Sequence, residues 1–323
     1  MLRYTVPTMT INYKPYEERT PDDQYHNLLR AIRDRGKDKT PVHVRLDENK
    51  GSGHQRSREL SGFMLQYDLA NGFPLLPIRN LRKPTVGVLG EILGFLNGGR
   101  TLEQLESYGM PRFFWEAWVT KEKCAQFGLE EGDLGLGSYG QTLRRMPTPE
   151  GEFDQVIALE RSMKAKPYLR THVLSTWNAP YALGDMEQGF PRKVVVAPCH
   201  GNFVHFILFD EAKELQMTHT QRSADAPVGL QFNLVEWAAV GMMFAHILGY
   251  TFTTYTHFLS NPHIYDVQNE AVDELLKREP RRLPTVTLEP DREVQHVFDF
   301  KPEDFKIADD YDPHPWLKIP TPI

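Results

Sequence analysis

A thiol beside an imidazole is the first pair in this chain whose types could do chemistry. In "KVVVAPCHGNFVHFILFD", residues 193–210, Cys199 and His200 interrupt a stretch that otherwise reads as an apolar strand. A cysteine nucleophile needs a neighbour that stabilises its thiolate. Successive side chains of a regular strand point to opposite faces, so His200 is not expected to serve as the base for Cys199. Another cation has to do so. Arg222 is the candidate: it ends the strand expected for "ELQMTHTQR" (214–222), close enough in sequence to pair with the Cys199 segment. An arginine beside a thiol lowers its pKa. The plainer readings are a buried structural thiol and a solvated strand end. Glu91 poses a similar choice within the apolar stretch "PTVGVLGEILGFLN" (84–97). It either points to water or sits in a cleft with a raised pKa suited to moving protons.

The elements that position these residues follow from periodicity and breakers. Helices are expected over 22–35, 84–97, near 153–165, and over 231–248, which is the longest. Strands are expected in 59–69, 170–178, 193–210, 214–222 and 251–259. The polar, glycine-containing stretch 47–58 reads as a loop, and the tail with Pro313, Pro315, Pro320 and Pro322 excludes a helix. No repeat or low-complexity linker divides the chain. Together these elements predict a single α+β domain built on a mixed, mainly antiparallel sheet flanked by helices, with residues 1–21 as an N-terminal extension.

Composition removes several function classes. At 323 residues and 40% hydrophobic content the chain can bury a sizeable core. The 43 acidic and 37 basic side chains leave a net charge of −6, without the basic footprint of a nucleic-acid binder. A free nucleotide remains a possible ligand, since a few arginines suffice for one phosphate. Cys124 and Cys199 lack the C-x-x-C spacing of a structural zinc site and cannot form a disulfide framework, so a reducing, cytoplasmic setting and no metal are expected. No apolar run approaches the ~20 residues of a membrane span, and no signal-peptide core is visible, so no membrane partner is expected.

Ten segments in order resemble the folate-dependent thymidylate synthases and the related pyrimidine-nucleotide hydroxymethylases. They are "NGFPLLP" (71–77), "GEILGFLNGG" (90–99), "FWEAW" (114–118), "GDLGLGSYG" (132–140), "LRTHVLSTWN" (169–178), "APCHG" (197–201), "QRSAD" (221–225), "GLQFN" (229–233), "HIY" (263–265) and "YDPHPWLKIPTPI" (311–323). The resemblance implies a thymidylate-synthase-like catalytic domain over 22–323 and a homodimer formed by packing of sheets. It also implies roles for individual residues. Cys199 falls on the nucleophile and Glu91 on the acid that manages protons. Arg222 and Ser223 fall on phosphate ligands, Asn233 on the reader of the pyrimidine edge, and His263 and Tyr265 on the groups that hold the sugar hydroxyl. Asp225 matches the acid that contacts the folate pterin. Trp115 and Tyr139 match walls of the active site, while Pro322 and Ile323 belong to a tail that closes over the folate.

The implied chemistry suits these residue types. C5 of uracil is a poor nucleophile, so a thiolate adds to C6 and makes C5 an enolate carbon. That carbon attacks the one-carbon unit of the cosubstrate, 5,10-methylenetetrahydrofolate. Hydride then gives a methyl group, whereas water gives a hydroxymethyl group. Asn233 offers a donor and an acceptor to the O4/N3 edge of uracil, while cytosine suits a carboxylate better. Trp115 and the complete tail favour methylation by shielding the intermediate from water.

Three departures surround the nucleotide. The family's first phosphate arginine lies in an Arg-Thr-Gly-Thr-Gly loop, but here the stretch reads "KGSGHQRSR", so Lys50, Arg56 or Arg58 takes that role, Lys50 being favoured. A pair of arginines that reaches the partner subunit's phosphate is reduced to Arg170-Thr171. Around "GLGSYGQTLRR" there is one extra residue and no tryptophan after the Tyr-Gly. These changes point to a specialised hydroxymethylase as the alternative. Two other classes compete: a non-catalytic nucleotide- or RNA-binding relative, and a thiol hydrolase pairing Cys199 with a distant histidine.

Overall fold

Every second side chain from Leu215 to Gln221 is buried, and that strand forms the centre of the main sheet. The computed structural model describes residues 10–42 and 55–321. In chain order its first half comprises α1 (Gln24–Arg35), β1 (Lys37–Val42), β2 (Gln55–Glu59), β3 (Phe63–Asp68), α2 (Arg82–Leu96), α3 (Leu102–Ser107), α4 (Lys121–Ala125), α5 (Tyr139–Arg144), the ribbon β4 (Met146–Thr148) and β5 (Gly151–Phe153), and α6 (Gln155–Ala165). The second half comprises β6 (Val173–Leu174), α7 (Ala179–Leu183), β7 (Phe203–Phe209), β8 (Glu214–Gln221), β9 (Ala224–Asp225), α8 (Gly229–Leu248), β10 (Thr251–Leu259), β11 (Pro262–Tyr265), α9 (Asn269–Lys277) and the ribbon β12 (Val286–Leu288) and β13 (Phe305–Ile307).

The main sheet has the order β3-β10-β8-β7-β6, in which only β10 and β8 run parallel. A second sheet, β1-β2-β11-β9, is antiparallel except where β11 meets β9. The architecture is the mixed, mainly antiparallel α+β arrangement that the sequence predicts.

Helix α8 is apolar nearly all round and is buried from Leu234 to Ala245, as a central helix must be. Its Gly241 lets it lie close on the sheet, because a Cβ there would stand 2.3 Å from the ring of Phe252. Burying Trp237, Phe244 and Phe252 contributes roughly 1.5–3 kcal/mol each. The other face of the main sheet carries a row of half-exposed groups across four strands: Phe203 opposite Thr220, Thr220 opposite Phe258, and Phe258 opposite Met64.

Several local expectations change. Residues 193–202 are not strand; regular pairing begins only at Phe203, because Pro198 has no N–H for a ladder and Gly201 turns the chain at φ 69°. The strand expected over 170–178 shrinks to Val173–Leu174. The span 59–69 is split at Gly62 (φ 77°), so its two parts join different sheets. Residues 55–58, expected within a loop, form most of β2. Residues from Thr10 onward pack on the rest of the chain: Ile11 is buried, and Arg19 bonds Thr285, Asp310 and the Leu283 carbonyl.

Candidate active site

The loop ahead of β7 presents Cys199, and the end of β8 grips that loop. The N–H groups of Arg222 and Ser223 both donate to the Cys199 carbonyl, at 2.9 and 3.4 Å. The Arg222 guanidinium donates to the carbonyls of Ala197 (2.7 Å) and Pro198 (2.8 Å), and its Nη2 stands 3.6 Å from Cys199 Sγ. Asn202 crosslinks the same loop, donating to Pro198 O at 3.0 Å and accepting Arg222 N–H at 2.8 Å. On the far side Cys199 N–H donates to the Tyr139 hydroxyl at 2.7 Å, and this hydroxyl also hydrogen-bonds the thiol. Tyr139 is held by stacking on Phe95, with ring centroids 4.5 Å apart, at the first turn of α5.

These contacts do not preform a thiolate. Burial pushes the Cys199 thiol above its ordinary value, while Arg222 and Tyr139 draw it back. Burial thus favours the neutral thiol, and Arg222 and Tyr139 favour the thiolate. Replacing Arg222 by methionine removes the cation beside the sulfur and is expected to slow iodoacetamide alkylation at pH 8 roughly tenfold. Mass spectrometry of the intact chain reads this; an unchanged rate removes Arg222 as the stabilising group.

Strand alternation does not govern His200, which precedes β7, and its ring is engaged elsewhere. Its Nδ1 accepts the indole N–H of Trp237 at 2.9 Å, and burial together with Arg222 lowers its pKa to about 3. It stays neutral, with its ring against Tyr139 (centroids 4.6 Å apart) and its Nε2 3.7 Å from Glu236 Oε2. Gly201 is required at this turn, since a Cβ would stand 2.3 Å from the Trp237 ring.

Glu91 on α2 accepts the indole N–H of Trp115, and burial raises its pKa to about 6. It is hydrogen-bonded to Glu236 of α8, a fully buried acid whose own value is driven well up by burial and by Glu91. Two facing carboxyls need a proton between them, and the opposite signs of their mutual effect place it on Glu236. Glu236 Oε2 accepts Asn233 Nδ2 at 3.0 Å, and Asn233 Oδ1 accepts Gln221 Nε2 at 2.9 Å.

The parallel pairing of β9 with β11 sets Asp225 opposite His263. His263 Nδ1 lies 3.2 Å from the Asn261 carbonyl, so this nitrogen carries the hydrogen and Nε2 is left as an acceptor. Burial and the nearby Asp225 and Cys199 raise the Tyr265 hydroxyl to about 12. Asp225 accepts Gln268 Nε2 at 3.0 and 3.1 Å and Val228 N–H at 3.3 Å, and burial lifts it to about 7. The same Gln268 amide donates to Pro320 O at 3.0 Å, which ties the C-terminal tail to Asp225. Buried Arg79 holds the tail as well, through Leu317 O at 3.4 Å and the face of Trp316.

The structure thus gathers Cys199, Arg222, Ser223, Tyr139, Asn233, Glu91, Trp115, Asp225, His263 and Tyr265 around one centre. Arg56 and Arg58 instead engage Asp38, at 3.4 and 3.1 Å, and Arg58 also bonds the Arg33 carbonyl. Arg170 is exposed and lies outside this centre. Lys50, Pro322 and Ile323 lie outside the described residues.

A sequence model of the thymidylate synthase family matches residues 23–323. The chain belongs to that family. Membership makes the protein a one-carbon transferase whose substrate is a pyrimidine nucleotide, and the family uses methylenetetrahydrofolate as cosubstrate. Among the described residues no helix is long and apolar enough to cross a membrane.

Within this site, sequence reading missed Glu236, Gln268, Asn202 and the loop partner Trp237. Glu236 carried a usable signal: it is an acid in an apolar helix, one turn after Asn233, as Glu91 is in α2. Gln268 and Asn202 carried none, because polar residues between elements are expected to face water.

Proposed function

We propose that this enzyme transfers the one-carbon unit of 5,10-methylenetetrahydrofolate to C5 of a uridine nucleotide, dUMP to dTMP, through a covalent bond from Cys199 to C6. The observation that carries this reading is the placement of Arg222 Nη2 3.6 Å from Cys199 Sγ, on a loop tied through β8 to Asn233 and the Glu91–Glu236 pair. As the S–C6 bond forms, the C5–C6 π pair moves toward O4. Asn233, with its second amide hydrogen and second lone pair, fits the O4/N3 edge and stabilises the charge on that oxygen. Glu91, ionised above about pH 6, accepts the C5 proton through water.

Arg222 and Ser223 bind the phosphate with Lys50, and His263 and Tyr265 take a sugar hydroxyl. Asp225 under the tail fits the donor edge of an amino-pteridine, with Trp115, Pro322 and Ile323 as further walls. The bound folate supplies the carbon and the hydride for methylation. The half-exposed row Phe203, Phe258 and Met64 suits burial against a second copy, from which Arg170, exposed here, reaches the opposite phosphate.

A second reading, 5-hydroxymethylation, is favoured by the extra acid Glu236 beside Glu91, since a carboxyl pair can activate water. Mass analysis after incubation with methylenetetrahydrofolate and each of dUMP, UMP, dCMP and CMP decides. Gain of CH2 on dUMP is the expected result; gain of CH2O selects the second reading, and no gain on any nucleotide overturns both.

A further inference from the structure

Behind Asn233, the inner face of the main sheet carries buried polar side chains where Leu, Met and Phe are the usual occupants. His219, Tyr255 and His257 are fully buried, and Gln221 almost so. They form one continuous chain. Gly201 N–H can only donate, and it reaches His219 Nε2 at 2.7 Å. In the neutral ring Nδ1 then carries the hydrogen and donates to the Tyr255 hydroxyl, 3.2 Å away. That hydroxyl donates to His257 Nδ1 at 3.0 Å, which leaves Nε2–H of His257 to donate to Gln221 Oε1 at 2.9 Å.

The other end gives the same direction independently. The Ser223 carbonyl can only accept, so the Gln221 atom 2.9 Å from it is the amide nitrogen. That nitrogen also donates to Asn233 Oδ1, and Asn233 Nδ2 donates to Glu236. Both histidines are neutral, since burial and neighbouring imidazoles lower them, His257 to about 3. Every link is satisfied in one direction only, which is what makes a buried polar chain tolerable.

We propose that His219, Tyr255 and His257 are positioning residues that lock the amide of Asn233 in one orientation and so set the enzyme's choice of uracil over cytosine. Turning an amide by 180° exchanges its donor and acceptor, and that exchange converts a match for O4/N3–H of uracil into a match for N4–H/N3 of cytosine. A free amide serves both bases; a locked amide serves one. The proposal rests on the reading of Asn233 as the base-contacting residue.

Two measurements test it. In the unmodified protein, long-range 1H–15N spectra should show His219 as the Nδ1–H tautomer and His257 as the Nε2–H tautomer at pH 7. The opposite tautomer at either ring, or a charged ring, overturns the chain without any substrate being needed. Calorimetric titration with dUMP and dCMP, without folate, then compares the wild type with Tyr255→Phe, which removes one hydroxyl, and with His219→Met, which breaks the chain one link earlier. The uracil-to-cytosine affinity ratio should fall about tenfold, the worth of one neutral hydrogen bond. A structural role alone weakens both nucleotides together; a ratio kept within twofold in whichever variant folds overturns the selectivity role. If the wild type binds neither nucleotide, the functional reading itself has failed, and the selectivity role with it.

Discussion

Cys199→Ala is expected to abolish product formation, a loss of about 10⁴-fold or more, because in the proposed mechanism C5 becomes nucleophilic only through the C6 adduct. The wild type is expected to form a covalent complex with 5-fluoro-dUMP in the presence of methylenetetrahydrofolate, and the same variant should lose it. The fluorine at C5 cannot leave as a proton does, so the adduct accumulates and is visible as a mass shift on the intact chain. Nucleotide binding should survive, since Arg222 keeps its carbonyl partners at Ala197 and Pro198. Full product formation by the variant removes Cys199 as the nucleophile. A complex that forms without folate favours a thiol hydrolase instead.

Glu91→Gln is expected to lower kcat by about 10²- to 10³-fold, the usual size of a lost proton-transfer group. Glu91 has to be ionised to accept a proton, and burial places its pKa at about 6. The wild-type rate should therefore climb as pH rises through about 6 and level off above it, whereas Glu91→Gln should lack this limb. Glu236→Leu tests the partner. Glu236 holds Glu91 down by donating its proton, so its removal sends Glu91 higher and moves the acid limb to higher pH. A limb that stays in place in Glu236→Leu shows that the two carboxyls are not coupled.

The sign for stability is the reverse of that for rate. The folded-state value of Glu91 is raised from 4.5, so its contribution to stability falls as pH rises from about 4.5 through about 6. Glu91→Gln should accordingly gain urea resistance relative to the wild type above pH 6 but not below pH 4.

Much of this enzyme is legible from residue types in order. The apolar stretch 231–248 gives α8 within two residues, since a helix buried all round has no face to confuse with a strand. Residues 251–259 give β10 at its observed bounds. Arg222 as the cation at Cys199 follows from the nearness of two segments joined by a hairpin. The Cys199 loop did not follow, because its apolar residues fit a strand and only Pro198 and Gly201 argue otherwise. What holds His200 is the indole of Trp237, 37 residues away in sequence, which no local pattern indicates.

By itself the sequence determined the α+β class and the family, and it pointed to Arg222 as the cation beside Cys199. These rest on local patterns and on short motifs that persist in order. Only the tertiary structure decided that Glu91 has a second acid beside it, that Asp225 and the tail share Gln268, and that the amide of Asn233 is oriented by a chain from Gly201. Each of these joins residues from separate elements, where neither spacing nor residue type indicates who meets whom. Burial alone turns such meetings into shared protons and fixed hydrogen-bond directions, because water is no longer present to satisfy each group separately.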